Sequence, residues 1–142
     1  MILVLFGQPG SGKTTIAKEL NGMFMSIDSD RFFKVFKDTS DREGGIALLN
    51  KASDIAIYFD STGLDCILSL PYQYKEARDY LNASKSDVYW VLLKHDHQLS
   101  PRGKYPLEYF DLPDGENVLE INTTRTSLDK TISLIENYID KW

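Results

Sequence analysis

Residues 2 to 15 read Ile-Leu-Val-Leu-Phe-Gly-Gln-Pro-Gly-Ser-Gly-Lys-Thr-Thr, and this stretch restricts the fold more than any other. The apolar run from Ile2 to Phe6 has the length and composition of a buried strand. It breaks at Gly7, after which Gly7, Gly12, Lys13 and Thr14 satisfy the spacing G-x-x-x-x-G-K-[ST]. Beyond the turn, Ile16, Ala17 and Leu20 recur at helical spacing. Strand, glycine-rich turn and helix together are the context in which this spacing makes a phosphate-binding loop.

The residue types follow from what a phosphate requires. Glycines at 7, 10 and 12 permit positive φ angles, which turn backbone N–H groups inward at a helix N-terminus, where the dipole also favours an anion. The expected nucleotide cradle is Gly7, Gln8, Pro9, Gly10, Ser11, Gly12, Lys13, Thr14 and Thr15. Lys13 would reach the β- and γ-phosphates. The Thr14 hydroxyl would be the protein ligand of Mg²⁺, with waters and phosphate oxygens completing the shell.

A chain of 142 residues is expected to form one domain, spanning 1–142. Its net charge of −5 argues against nucleic acid as the main partner, because nucleic-acid binders usually carry a basic face. The one cysteine, Cys66, lies in an apolar stretch and reads as core in a reducing, cytoplasmic setting. No apolar run approaches the roughly 18 residues of a membrane span.

Along the chain, Asn21-Gly22 ends the first helix and 23–27 reads as a short strand that runs into Asp28-Ser29-Asp30-Arg31. Ligands of parallel α/β sheets bind beyond the carboxyl ends of strands, so this acidic pair is expected to face the same crevice as the glycine loop. Phe32, Phe33, Val35 and Phe36 suggest a short helix whose aromatics either line a pocket or enter the core. Thr39 or Ser40 is the expected cap of a long helix to about Ser61, and Gly44-Gly45 near its start marks a close approach of ligand.

Leu64 to Leu70 reads as a third strand that ends without the acidic residue with which many ATPases and GTPases hold magnesium; Asp28 and Asp30 would supply that carboxylate. A helix from Tyr74, a strand over Asp87 to Lys94, a strand over Asn117 to Ile121 and an amphipathic final helix complete the alternation. His95-Asp96-His97 reads as a solvated loop rather than a metal site. The polar turn 122–126 is a candidate for adenine contacts. The expected architecture is a five-stranded parallel sheet of order 2-3-1-4-5, with helices on both faces and a short lid at about 95–116.

With these residues in view, the chain resembles the adenylylsulfate (APS) kinases, P-loop enzymes that phosphorylate the 3′-hydroxyl of adenosine 5′-phosphosulfate from MgATP. Ile27-Asp28-Ser29-Asp30 is similar to the family's Leu-Asp-Gly-Asp, and Ser40-Asp41-Arg42-Glu43 to its Ser-x-x-Asp-Arg-x-Glu-Asn. Pro71-Tyr72 with Ala77-Arg78 resembles Ser-Pro-Tyr-Arg…Ala-Arg, and 101–105 resembles Asp-Pro-Lys-Gly-Leu-Tyr. The resemblance implies catalytic roles for Lys13, Asp28 and Asp30, with Asp28 receiving or orienting the acceptor hydroxyl. It also implies acceptor binding by Arg31, Phe33, Arg42, Pro71, Tyr72, Arg102 and Lys104, the last two as lid cations. Two plainer roles stay open, Asp28 as a helix cap and Arg42 as a surface ion pair.

The acceptor side departs from the family pattern. Phe33 stands where the family has arginine, Gly45 where it has asparagine, and Ala47 and Leu48 where arginines follow. The aromatic-bearing lid segment is deleted between Tyr105 and Glu108. The expectation is therefore an ATP- and Mg²⁺-dependent kinase of a small anionic hydroxyl acceptor, with APS the best single guess. Another small acceptor, or a nucleotide-binding module that phosphorylates no metabolite, is the alternative. The oligomeric state, a homodimer included, stays open.

Overall fold

The computed structural model describes residues 1–20, 24–37, 41–96 and 109–139. In chain order the elements are β1 (Ile2–Phe6), α1 (Lys13–Leu20), β2 (Met25–Asp28), α2 (Ser29–Val35), α3 (Arg42–Ser61), β3 (Cys66–Ser69), α4 (Lys75–Asn82), β4 (Val88–Lys94), β5 (Val118–Asn122) and α5 (Leu128–Tyr138). The five strands form a parallel sheet of order β2-β3-β1-β4-β5. This is the order expected of a fold built on a phosphate-binding loop; the alternation of strands and helices by itself predicts only that the sheet is parallel and covered on both faces.

β1 lies at the centre of the sheet and all five of its side chains are fully buried, which explains its unbroken apolar sequence. Ile2, Val4 and Phe6 join one core with Phe32, Leu49, Ala56, Leu68 and Leu81, from α2, α3, β3 and α4. Leu3 and Leu5 point the other way, into a second core with Ile16 of α1 and Ile135 of α5. Each fully buried aliphatic of this kind contributes about 1.5–3 kcal/mol relative to exposure. Cys66 belongs to the first core, and burial pushes its thiol up to about 12, so it packs as a small apolar side chain.

Register sets out the site. Leu5 of β1 and Asp28 of β2 both pair with Ser69 of β3, so the three residues stand level across neighbouring strands. Gly7 lies two residues beyond that level, and the cradle and the Asp28 carboxylate therefore open at the same edge of the sheet.

Local expectations shift in three places. α3 is capped by Asp41, whose side chain accepts the Gly44 N–H at 2.7 Å, rather than by Thr39 or Ser40, which lie outside the described residues. The close approach at Gly45 is that of a side chain: a Cβ there would stand 2.9 Å from a ring carbon of Tyr74. β2 extends to Asp28, so the carboxylate ends the strand and caps the following helix.

Arg78 is the largest buried polar side chain. Its Nε and Nη2 donate to both carboxylate oxygens of Glu116 at 3.0 and 3.1 Å, and its Nη1 donates to the Tyr72 carbonyl at 2.8 Å. This fork ties α4 to the turn after β3 and to the segment that enters β5. Among the described residues no helix is long and apolar enough to cross a membrane.

Candidate nucleotide and acceptor site

The loop between β1 and α1 is a left-handed glycine turn, with φ of +149° at Gly7, +83° at Gly10 and +98° at Gly12. At Gly7 a side chain is also excluded by space, because a Cβ would lie 2.3 Å from the Leu93 carbonyl oxygen of β4. The Ser11 N–H closes the turn on the Gln8 carbonyl at 3.2 Å, and the Ile16 N–H donates to the Gly12 carbonyl at 3.0 Å as α1 begins. Gly10, Thr14 and Thr15 are exposed, Gln8, Pro9 and Gly12 are half-buried, and Ser11 is buried.

Lys13 folds back over this loop. Its Nζ donates to the carbonyls of Gly7 at 3.0 Å and Gln8 at 2.9 Å. Burial lowers its pKa to about 8, because removing an ammonium from water disfavours the charged form, and among the described residues no carboxylate pairs with it to compensate. The amine thus stands against the loop that would receive an anion. An incoming phosphate would offer it the negative charge that two carbonyl dipoles replace only in part.

The turn after β5 is fixed to the same loop. The Thr123 hydroxyl donates to the Ser11 carbonyl at 2.9 Å. Asn122 Oδ1 accepts the N–H groups of Thr124 and Arg125, and its Nδ2 donates to Asp96, which also accepts Arg125 Nε at 3.1 Å. Asp96 is thereby engaged in holding the polar turn. His97 lies outside the described residues.

On the other side of β1, Asp28 Oδ1 accepts the Arg31 N–H at 3.0 Å as the N-cap of α2. Oδ2 stands 3.9 Å from Arg31 Nε, and the Arg31 side chain is 90% exposed. Asp30 is exposed in the first turn of α2. The cap role and a role toward ligand are compatible, since the cap uses one oxygen. Phe33 is half-buried against Phe32, its ring meeting the neighbouring ring edge-on at 5.6 Å, so its main contact is with the core.

The expected acceptor residues do not all gather there. Tyr72 is a correction: its side chain is wholly inside the core, its hydroxyl 2.9 Å from Ser53 Oγ, and burial raises its pKa, so it offers no surface to an acceptor. It is also the one described non-glycine residue in the left-handed region, at φ +42°. Pro71 beside it is half-buried. Arg42 is held in an ion pair with Glu76 and lies over the rings of Tyr74 and Tyr109, 5.2 and 5.7 Å from their centres. Arg102 and Lys104 lie outside the described residues.

Three contributors escaped the sequence reading. Tyr74 and Tyr109 stack at 5.6 Å and both meet the Arg42 guanidinium, while Phe110 stacks on Phe6 and the Asp111 N–H donates to the Gln73 carbonyl. No spacing in the chain links 74 to 109. Ser69 is the third: it is buried, and its hydroxyl has no hydrogen-bond partner among the described residues. Its signal was present as the polar residue that ends an otherwise apolar strand.

No family model matches the chain, and no curated protein matches it by sequence. Solved structures do match in shape. The APS kinase CysC of Mycobacterium tuberculosis in complex with AMPPNP and APS superposes with a TM-score of 0.76 at 12% identity, covering 99% of this chain and 97% of that one. A sugar kinase from Janibacter sp. gives 0.75 at 16%, covering 98% and 94%. A gluconokinase from Sinorhizobium meliloti gives 0.68 at 15%, covering 99% and 97%. The fold is that of the P-loop kinases.

Proposed function

We propose that this chain is a small-molecule kinase that transfers the γ-phosphoryl group of ATP to a hydroxyl of a small acceptor. The observation that carries the reading is the level row Asp28, Ser69 and Leu5, which sets a carboxylate beside the glycine cradle at the same edge of the sheet. With strands about 4.8 Å apart, Asp28 stands roughly 10 Å from β1, separated from it by one strand. A module that only binds nucleotide needs no acceptor base there. The kinases of matching shape, one of them solved with AMPPNP and APS, support the same reading.

The residues fit both ATP and magnesium. The glycine turn and the N-terminus of α1 supply the phosphate donors, and Lys13 is already placed at the loop. Among the described residues there is no group of three acidic, histidine or cysteine side chains to hold a metal alone. Thr14 would instead give Mg²⁺ one protein oxygen, and the ion would supply charge neutralisation for the transferring group. Lys13 would exchange the Gly7 and Gln8 carbonyls for phosphate oxygens. Asp28, through the oxygen not used in the cap, would orient the acceptor hydroxyl and take its proton. Catalysis would thus rest on positioning and fixed charge.

For the acceptor, APS is the first compound to test, by the sequence resemblance and the likeness in shape. The Arg42 pair with Glu76 favours a second reading, a related kinase of a less anionic hydroxyl compound such as a sugar acid or nucleoside. The test is ADP formation from MgATP with and without APS, with the product identified by chromatography and Lys13→Ala as the blank. APS-dependent 3′-phosphorylated product establishes the first reading. Turnover only with sugar acids or nucleosides establishes the second. ATP binding with no turnover of any of them overturns the kinase assignment in favour of a nucleotide-binding module.

A further inference from the structure

We infer that the Ser69 hydroxyl, with Asp28 beside it, holds the water shell of a nucleotide-bound magnesium ion from the end of β3. The inference rests on the nucleotide reading above and deepens it.

Side chains alternate along a strand, so Ser69 lies on the face that carries Ile67 two residues earlier. Ile67 packs in the core with Leu3, Leu5 and Ile16, the face covered by α1. Lys13 and Thr14 open that same helix. Asp28 pairs with Ser69 in register and ends β2 at the same level. The Ser69 carbonyl is already satisfied by the Ser29 hydroxyl at 2.9 Å. Its own hydroxyl has no partner among the described residues, although the residue is only 1% exposed.

A buried hydroxyl without a partner is uncommon, since it gives up its hydrogen bonds to water and gains none. Alanine would fill this strand end without that cost, so packing gives no reason for a serine. A ligand does. Waters bound to a divalent cation are strong donors, and the groups that hold them must accept. The serine oxygen has two lone pairs, and so has Asp28 Oδ2, which lies outside the cap and can accept one such water beside the acceptor hydroxyl. Many ATPases and GTPases place one acidic residue in this role, whereas here the strand ends without one. A neutral hydroxyl next to a carboxylate from the adjacent strand would divide the task.

The experiment is calorimetric binding of AMPPNP across a magnesium titration from chelated metal to saturation, on the full chain, with melting temperatures alongside. For Ser69→Ala, metal-free AMPPNP binding is expected to stay within about twofold of wild type. The magnesium concentration for half-maximal tightening is expected to rise about five- to tenfold, the loss of one hydrogen bond. The melting temperature is expected to hold or rise. Ser69→Asp is expected to bring the magnesium midpoint back to wild type or below. Identical magnesium dependence in wild type and Ser69→Ala overturns this inference alone, and so does a midpoint that moves only with the melting temperature. Failure of the wild type to bind AMPPNP at any magnesium level overturns the nucleotide reading as well.

Discussion

The two sides of the sheet edge are built in different ways. The phosphate cradle is made by consecutive residues whose backbone does the work: glycines in the left-handed region, N–H groups at the start of α1, and a lysine that already faces the loop. The proposed acceptor side draws on α2, the start of α3, the turn after β3 and residues 109–111, and two of its described cations are already paired. Arg42 is paired with Glu76 and Arg78 with Glu116. A cradle formed from backbone is insensitive to most substitutions around it. A wall formed from paired side chains is redefined whenever one partner changes. One fold can therefore keep its donor while its acceptor drifts.

The largest effect is expected where that wall is buried. Arg78→Met leaves the Glu116 carboxylate and the Tyr72 carbonyl without their donors in a nearly dry environment. Removing one member of such a pair costs about 3–5 kcal/mol, read as a drop in unfolding free energy in urea. Nucleotide affinity of the folded fraction is expected to stay unchanged, because the guanidinium bonds to Glu116 and Tyr72, and its nearest approach to the cradle among these contacts is the Phe6 ring, 5.7 Å from its centre. An equal loss in AMPPNP affinity would break the comparison and show that the two sides fold as one unit.

Lys13→Ala attacks the cradle and is expected to do the reverse. Turnover should fall by about 10²–10³, the usual cost of removing one preorganised charge from a transition state. Stability should hold or increase, because the wild type keeps an amine buried against carbonyls with its charged form disfavoured. Full turnover in this variant would remove the cradle from the mechanism.

The same contrast explains what could be read from the chain. The cradle is local, so Gly7, Gly12, Lys13 and Thr14 disclosed their geometry through spacing alone. The parallel sheet followed from a buried run at β1 and alternation elsewhere, whereas the strand order came only with the fold that the glycine loop implies, since no spacing in the chain displays it. Burial by distant elements has no such signature. Pro71-Tyr72 follows a strand end and looks like the lip of a crevice, yet the Tyr72 ring turns inward to Trp90 and Ser53. Gly45 looked like a place for ligand because nothing near it in sequence shows the ring of Tyr74. Arg42 could be recognised as a cation but not as one already in contact with two tyrosines and paired with Glu76.

Tyr72→Phe sharpens the comparison with a smaller effect. The substitution deletes the hydroxyl bonded to Ser53 and leaves the ring in the core, so about 0.5–1.5 kcal/mol of stability should be lost. Acceptor KM is expected to be unaltered. A KM increase at unchanged stability would return Tyr72 to the acceptor wall, against its burial.

The finest test is the proton on Lys13. Its folded pKa is lowered to about 8 from an ordinary 10.5, by burial. Between those values the unfolded chain binds more protons than the folded one, so stability should rise with pH from about 8 and level off near 10.5. Nucleotide acts in the opposite sense. A phosphate beside Nζ favours the ammonium, so binding above pH 8 should draw in part of one proton, and below pH 7 none. Calorimetry of AMPPNP binding at pH 8.5 in two buffers of different ionisation enthalpy measures that uptake, and Lys13→Ala should abolish it. Uptake that persists in the variant would place the titrating group elsewhere and leave the cradle lysine charged throughout. Uptake that vanishes with Lys13 would show that the loop holds its amine largely neutral at that pH until an anion arrives, a property of the backbone side that no change on the acceptor wall should alter.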